Sequence, residues 1–219
     1  MTFWLCPSLW AGKRCFIVAG GPSLRGFDFT RLSGHRVIAI NSSAFSVPDA
    51  PYMFFGDDRW GYENASRLTG FAGEIVTTSG GCGIRNARIM KKIAPPPAVM
   101  ARPDSLSMRR TSLTAAINLA VHLGATSIVL LGADMQAAPD GRTHHHAPHR
   151  WPPVAGCWEQ QMLDLENMAT ELAVLGIEVV NTSLSSRIGW WAKRSIDEFL
   201  PPSSALGQGT ALELKNGLD

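Results

Sequence analysis

Short apolar runs that end in small or polar residues recur along the chain. They are rich in β-branched and aromatic residues, and glycine, asparagine or aspartate follows most of them. Runs of this length, bounded by turn residues, are typical of buried strands in a parallel sheet. The pattern therefore predicts six strands, at residues 15–19, 36–41, 52–55, 74–78, 127–131 and 177–181.

Two longer segments have helical character. Residues 112–123 are almost entirely apolar, with Thr111 or Ser112 as the N-cap and Gly124 just past the end. Residues 159–175 place leucine and methionine on one stripe, and a glycine ends the pattern. The alternation of strands and helices predicts an α/β fold, with a mostly parallel sheet and helices on both faces.

The composition indicates one globular domain. Of the 219 residues, 45% are apolar and 17% are charged, which favours a packed core and excludes disorder of the whole chain. We predict a single nucleotide-binding α/β domain over residues 1–200 and a flexible or oligomer-forming tail over residues 201–219. The formal net charge of +2 permits an anionic ligand but is far below that of dedicated nucleic-acid-binding domains.

The cysteines and the chain start predict a cytoplasmic protein. The four cysteines are scattered and form no C-x-x-C pair, which indicates reduced thiols. Residues 1–10 are apolar but have neither a basic start nor a small-residue cleavage site, so they do not predict a signal peptide. No run reaches the roughly 18 apolar residues that a membrane span needs, so none is predicted.

Glycines and polar residues follow several of the predicted strands, and ligands of open α/β sheets bind at such strand ends. Two glycines after the first strand let the backbone approach a ligand, and nearby N–H and hydroxyl groups suit a phosphate. The asparagine after the second strand suits a base or ribose, and the paired aspartates after the third resemble a metal–diphosphate motif. Ordinary turn and capping roles are the alternatives. These nucleotide-binding candidates are Gly20, Gly21, Pro22, Ser23, Asn41, Ser42, Asp57 and Asp58.

A second anion site is predicted where the first helix begins. Arg109 and Arg110 directly precede Thr111 and Ser112 at this helix N-terminus. Guanidinium groups, hydroxyls and the N–H groups of the first helical turn all favour negative charge. We therefore add Arg110, Thr111 and Ser112 to the nucleotide-binding candidates, with plain helix capping as the alternative.

Four of the six histidines lie close together, after Asp134. They are His144, His145, His146 and His149. Imidazole exchanges protons near neutral pH, so this segment is a candidate for general acid or base chemistry. We predict His146, His149 and Asp134 as the catalytic group. No cysteine lies at zinc-site spacing, so we assign no metal ligand, and the dependence of the activity on a divalent metal stays open.

The order of these motifs along the chain resembles that in a known superfamily. The resemblance rests on residues 17–24, 27–32, 39–41, 110–112 and 131–135, and covers about residues 14–188. In these segments the chain resembles the family 42 sialyltransferases and the wider superfamily that includes archaeal 6-hydroxymethylpterin pyrophosphokinases. It is more similar still to small bacteriophage members, in which a Gly-Arg-Thr-His-x-His-x-x-His stretch follows the aspartate.

The resemblance implies a modified Rossmann fold and a cytidine-nucleotide donor, and the sialyltransferase-like members need no metal. Their catalytic base is a histidine shortly before the last helix, and here the nearest upstream histidine is His149. The residues that would line the nucleotide are Gly20, Gly21, Ser23 and Asn41, with Thr111 and Ser112 near its phosphate or ribose.

We therefore predict a glycosyltransferase-like enzyme with a nucleotide-sugar donor and a histidine that deprotonates an acceptor hydroxyl. The nucleotide base stays open, and the acceptor is a saccharide, a small molecule or, for a viral protein, a modified DNA base. A homo-oligomer is compatible with the sequence. One alternative is a pyrophosphokinase-like transferase that holds Mg²⁺ on ATP with Asp57, Asp58 or Asp134 and modifies a small heterocycle. The other is a nucleotide-binding protein without catalytic activity.

Overall fold

The computed structural model describes residues 2–147, 150 and 154–201 and is built around parallel strands. The strands in this part are β1 (Arg14–Val18), β2 (Val37–Ile40), β3 (Tyr52–Phe55), β4 (Glu74–Thr77), β5 (Arg88–Ile89), β6 (Lys91–Ile93), β7 (Ser105–Ser107), β8 (Ser127–Leu131), β9 (Glu178–Asn181) and β10 (Ala192–Lys193). The α-helices in it are α1 (Asp58–Leu68), α2 (Ser112–His122) and α3 (Cys157–Val174).

Eight of these strands form one sheet in the order β10-β9-β8-β1-β2-β3-β4-β5, and all the neighbouring pairs are parallel. The chain begins in the middle with β1, adds strands on one side as far as β5, and later returns with β8 on the other side of β1. The strand order therefore reverses between β1 and β8, which is where ligands bind in open α/β sheets. Strands β6 and β7 form a separate parallel pair.

Both faces of the sheet carry a hydrophobic core, because alternate strand residues point to opposite sides. On one face Ile17, Ile38 and Phe54 belong to the cluster that contains the apolar residues of α2 and α3. On the other face Phe16 and Met53 belong to the cluster that contains Trp60 and Leu68 of α1. The predicted α/β fold, with a parallel sheet and helices on both faces, is therefore confirmed.

The six predicted strands are all present, and both predicted helices are found within two residues of their expected ends. Helix α1 and the short strands β5, β6, β7 and β10 are additions that the sequence pattern did not predict. Within the part of the chain that the structure describes, no helix combines the length and hydrophobicity needed to cross a bilayer. The predicted tail lies outside the described residues except for Pro201, so its character stays a prediction.

Candidate functional site

A cleft with two compartments lies at the carboxyl ends of the central strands. The first compartment has a volume of about 510 Å³ and the second about 660 Å³. Asn41, Asp57 and His146 line both of them, so these three residues form the boundary. The predicted site residues that line the first compartment are Gly20, Gly21, Asn41, Asp57, Arg110, Thr111, Ser112, Asp134 and His146, and Ser42 lines the second.

The glycine turn after β1 is packed against the end of β8. The Gly21 N–H donates to the Gly132 carbonyl at 2.9 Å, and the Ser23 N–H donates to Asp134 Oδ2 at 3.0 Å. A Cβ atom at position 21 would lie 1.9 Å from Asp134 Oδ2, so only glycine fits there. The segments that follow β1 and β8, the two strands between which the strand order reverses, are thus joined by hydrogen bonds at the carboxyl ends of these strands.

Pro22, Ser23 and Asp58 lie outside the residues that line the two compartments. Pro22 and Ser23 belong to a short 3₁₀ turn, and the Ser23 hydroxyl is 2.9 Å from the Ser183 hydroxyl. Asp58 is exposed in the first turn of α1. The structure thus gives Ser23 a role in packing, and it places Asp58 where its charge complements the helix dipole.

Asp134 is placed to hold the glycine turn. The residue is 3% exposed, and its Oδ2 accepts the Ser23 N–H. Its backbone carbonyl accepts a hydrogen bond from the Arg187 N–H at 3.0 Å. These contacts favour a positioning role for Asp134 at the rim of the first compartment, whereas the sequence alone suggested direct participation in catalysis.

His145 anchors the histidine segment to the sheet. Its N–H donates to the Gly20 carbonyl at 3.0 Å, and its Nε2 lies 3.0 Å from Ser43 Oγ. Since the single Ser43 hydroxyl proton is donated to the Ala19 carbonyl, His145 Nε2 must carry the proton in this pair. Burial, with a smaller effect of neighbouring His146, lowers the pKa of His145 to about 4. The ring is therefore neutral at physiological pH and has a structural role.

His146 has the geometry of a proton acceptor. Its Nδ1 lies 2.8 Å from the Ala147 carbonyl, and because a carbonyl only accepts, Nδ1 carries the proton of the neutral ring. The lone pair is then on Nε2, the ring nitrogen on the side of Gly20, where an added Cβ would be 3.3 Å away. Burial lowers the pKa of His146, the Ala147 contact raises it, and the charge of Arg67 lowers it further. His149, the other preferred base, lies outside the described residues.

Positive charge is concentrated on the side of the first compartment where α2 begins. Lys92, Arg109 and Arg110 line it together with Thr111 and Ser112. The Thr111 hydroxyl caps α2 by accepting the Leu113 N–H at 3.2 Å, which leaves other N–H groups of the first turn for a ligand.

Arg110 is held by helix α3. Its Nη1 lies 3.0 Å from Oδ1 of Asp164, whose side chain is only 6% exposed. The Asp164 carboxylate therefore fixes the guanidinium at the edge of the first compartment.

Strained backbone and unpaired polar atoms occur at the same strand ends. Asn41 and Met135 have φ angles of 50° and 52°, a left-handed conformation that is rare for methionine, and both line the first compartment. Six buried side-chain polar atoms lack a hydrogen-bond partner in the described part of the chain, and four of them follow β2, β4 or β8. These four are Asn41 Oδ1, Thr78 Oγ1, Ser79 Oγ and Asp134 Oδ1. Strain and unpaired polar atoms of this kind cluster at ligand sites.

The carboxylates at the cleft already accept backbone hydrogen bonds. Asp57 Oδ1 caps α1 by accepting the N–H groups of Arg59 and Trp60, at 2.8 and 3.2 Å. Asp134 holds the glycine turn through Oδ2. Across residues 2–147, 150 and 154–201, no three histidine, cysteine or acidic side chains converge as metal ligands.

Several lining residues were not predicted from the sequence. Lys92 comes from the small β6–β7 pair, and Arg67 comes from a helix that the sequence did not predict. Cys157 starts α3 at the rim of the first compartment. Only Cys157 was within reach of sequence reasoning, because a helix that follows a strand-end loop often begins beside the ligand.

No protein-family model matches the chain, and no curated protein sequence matches it. Among solved structures it is similar to the sialyltransferase CstII from Campylobacter jejuni in complex with cytidine-5'-monophosphate, with 14% identity, a TM-score of 0.49 and coverage of 84% of this chain and 86% of that one. It is also similar to CstII in complex with CMP-3FNeuAc, with 14% identity, a TM-score of 0.48 and coverage of 83% of this chain and 86% of that one. A third similar structure is CST-II in complex with a trisaccharide acceptor and CMP, with 14% identity, a TM-score of 0.48 and coverage of 82% of this chain and 85% of that one. Likeness at this identity concerns the fold alone and assigns no residue or ligand.

Proposed function

We propose that the protein is a glycosyltransferase-like enzyme that binds a nucleotide-sugar donor in the first compartment and an acceptor in the second. The observation that carries this proposal is that His146 lies at the boundary of the two compartments, while Lys92, Arg109 and Arg110 line the first. A base between two adjoining binding spaces suits the transfer of a group from one bound molecule to another.

The donor phosphate is expected beside the N-terminus of α2. Lys92, Arg109 and Arg110 line this part of the first compartment, and the first turn of the helix offers N–H groups. The sugar and nucleoside would extend toward the glycine turn and Asn41. The volume of about 510 Å³ lies within the usual range for small-molecule sites. The resemblance of the sequence to the family 42 sialyltransferases implies cytidine as the base.

The proposed reaction begins when an acceptor hydroxyl in the second compartment loses its proton to Nε2 of His146. The acceptor oxygen forms a bond to the anomeric carbon of the donor sugar, and the bond from that carbon to the phosphate oxygen breaks. The electron pair stays with the departing nucleotide, whose charge is stabilised by Arg109, Arg110 and Lys92. The proton remains on His146 until it is released to solvent. No metal ion takes part in this scheme.

The test is a thermal-shift screen of the purified chain against CMP, CDP, UDP, GDP, ADP, ATP and their sugar conjugates, with and without Mg²⁺. We expect stabilisation by a cytidine nucleotide in the presence of a chelator, about 2.7 kcal/mol at a hundred times its Kd. A shift seen only with ATP and Mg²⁺ would instead support the pyrophosphokinase-like alternative. The absence of a shift with any nucleotide would contradict the proposal.

Catalysis is tested by replacing the base. His146→Asn should keep the nucleotide-induced shift and lose about a hundredfold or more in the rate of sugar transfer or donor hydrolysis. Nucleotide binding without turnover in the unaltered protein would favour the non-catalytic alternative. A His146→Asn variant with unchanged turnover would exclude His146 as the base.

A further inference from the structure

The second compartment is lined by helix α1 and by the 3₁₀ turn that follows β2. This turn spans Asn41–Phe45, and Phe45 stacks on Trp60 with ring centroids 6.2 Å apart. The Trp60 Nε1–H donates to the Ser42 hydroxyl at 3.1 Å, which ties the helix to the turn. The wall of the compartment is therefore a fixed aromatic surface on structured elements.

Arg67 projects from α1 onto this wall. Its guanidinium carbon lies 3.6 Å from the centroid of the Phe45 ring, and its Nη1 donates to Asn64 Oδ1 at 3.3 Å. No carboxylate in the described part of the chain lies within 4 Å of it. A guanidinium is planar, so one that is held over an aromatic ring keeps its remaining N–H donors in a fixed plane, the geometry that suits a carboxylate or a phosphate.

The acidic residues of this compartment already have partners, one of which, Arg150, lines the compartment as well. Asp57 accepts two backbone hydrogen bonds at the start of α1. Glu63 lies 3.7 Å from the guanidinium of Arg150. The charge of Arg67 is thus not offset by a neighbouring carboxylate, and it reaches His146, whose protonation it opposes.

We propose that the second compartment binds an acceptor that carries an anionic group, with Arg67 as the contact for that group. This rests on the proposed function, because the acceptor hydroxyl must face His146. Phe45 and Asn64 preset the guanidinium, so little side-chain freedom is lost on binding. A bound anion also offsets the charge that opposes protonation of His146, so the base would gain proton affinity when the acceptor is in place.

The test compares three probes that share one sugar ring: glucose, glucuronate and glucose 6-phosphate. Binding is followed by NMR of protein with ¹³C-labelled histidine, and the His146 ring signal is identified by its loss in His146→Asn. We expect one of the two anionic sugars to bind about tenfold or more tightly than glucose, because a charge-assisted hydrogen bond contributes at least that much. The two anionic probes separate a carboxylate acceptor from a phosphate acceptor.

The decisive variant is Arg67→Gln, with Arg85→Gln as its matched control. Arg85 is also an exposed arginine, but it lines a different cavity, beside β4 and β5. Arg67→Gln should reduce the preference for the anionic sugar to about twofold or less, and Arg85→Gln should preserve it.

Equal binding of the three probes to the unaltered protein, or a preference that survives in Arg67→Gln, would overturn the proposal. The nucleotide-induced thermal shift is measured on the same variants. If no nucleotide stabilises the unaltered protein, the proposed donor site is contradicted, whereas the preference for an anionic sugar is judged from the binding of the three probes. A failure of the proposed function can therefore be told apart from a failure of the anionic-acceptor proposal.

Discussion

His145 and His146 are neighbours in the chain but adopt opposite neutral tautomers. The Nε2 proton of His145 is committed to Ser43, while the neutral ring of His146 has its proton on Nδ1 and its lone pair on Nε2. The difference arises from the hydrogen-bond partners that the fold provides. His145 faces the Ser43 hydroxyl, whose own proton is already donated, and His146 faces a backbone carbonyl. We therefore expect replacement of His145 to affect stability and replacement of His146 to affect turnover.

The lowered pKa of His145 predicts a loss of stability in acid. The ring has a pKa of about 4 in the folded protein and about 6.5 in the unfolded chain. Between these values the unfolded chain binds a proton that the folded protein does not bind, so the free energy of unfolding decreases as the pH falls. This contribution is complete above pH 6.5 and is lost progressively toward pH 4.

The measurement is urea unfolding at several pH values from 7 to 4. The midpoint should fall on acidification, and His145→Gln should show a smaller fall than the unaltered protein, whatever its stability at pH 7. His122 and His146, whose pKa values are lowered mainly by burial, would account for part of the remaining dependence. Identical pH dependence in the two proteins would show that His145 is not the responsible group.

The sequence predicted which residues converge but not how each one is used. Gly20, Asn41 and Asp134 line the cleft as expected, since the carboxyl ends of parallel strands share one edge of the sheet. The packing of Ser23 against Asp134 and Ser183 depends on contacts between residues more than a hundred positions apart. No local pattern encodes such contacts.

At the scale of elements, the long strands were predictable because each contains a run of buried apolar residues. Helix α1 was not predicted, since of its eleven residues only Trp60, Gly61 and Leu68 are buried and most of the others are polar. The two- and three-residue strands β5, β6, β7 and β10 are too short to show a period. Because Arg67 and Lys92 belong to these unpredicted elements, the second compartment and part of the cationic side of the first compartment were also missed.

The junction of α2 and α3 leads to a prediction about the Arg110–Asp164 ion pair. The Asp164 side chain is 6% exposed and that of Arg110 is 29% exposed, so Arg110→Gln would leave a buried carboxylate without its cation. We expect a loss of about 2 kcal/mol in the free energy of unfolding, measured by urea denaturation. The nucleotide-induced thermal shift should also decrease.

The matched control is Arg102→Gln. Arg102 pairs with Asp104 in the same way, but its own side chain is 73% exposed. Exposed ion pairs contribute at most about 1 kcal/mol to the free energy of unfolding. This variant should therefore be nearly as stable as the unaltered protein and should bind nucleotide normally. Equal losses in the two variants would contradict the assigned role of Asp164.

At the scale of the whole molecule, the first compartment is lined by segments that are far apart in the sequence. Its walls come from the ends of β1, β2, β3 and β8, from the starts of α2 and α3, and from the histidine segment. A ligand at this place would contact most of the elements that meet where the strand order reverses. Occupancy should therefore protect residues that are remote in sequence, and the cysteines provide a way to observe this.

Cys157 is the thiol best placed to report on the cleft. It is partly buried and lines the first compartment, whereas Cys6, Cys15 and Cys82 are buried. Burial also raises the pKa of Cys6 to about 12 and that of Cys15 as well, so these two thiols ionise poorly. Alkylation of the native protein by iodoacetamide should therefore modify about one thiol per chain, because the thiolate is the reactive form.

A bound nucleotide should slow this alkylation. At ten times its Kd it leaves about a tenth of the sites empty, so the rate measured by mass spectrometry should fall roughly tenfold if the nucleotide covers Cys157. Cys157→Ser should abolish native-state labelling and keep the nucleotide-induced thermal shift, which identifies the reacting thiol. A nucleotide that stabilises the protein without slowing alkylation of Cys157 must bind outside the first compartment, because a ligand between α2 and the glycine turn would shield the start of α3.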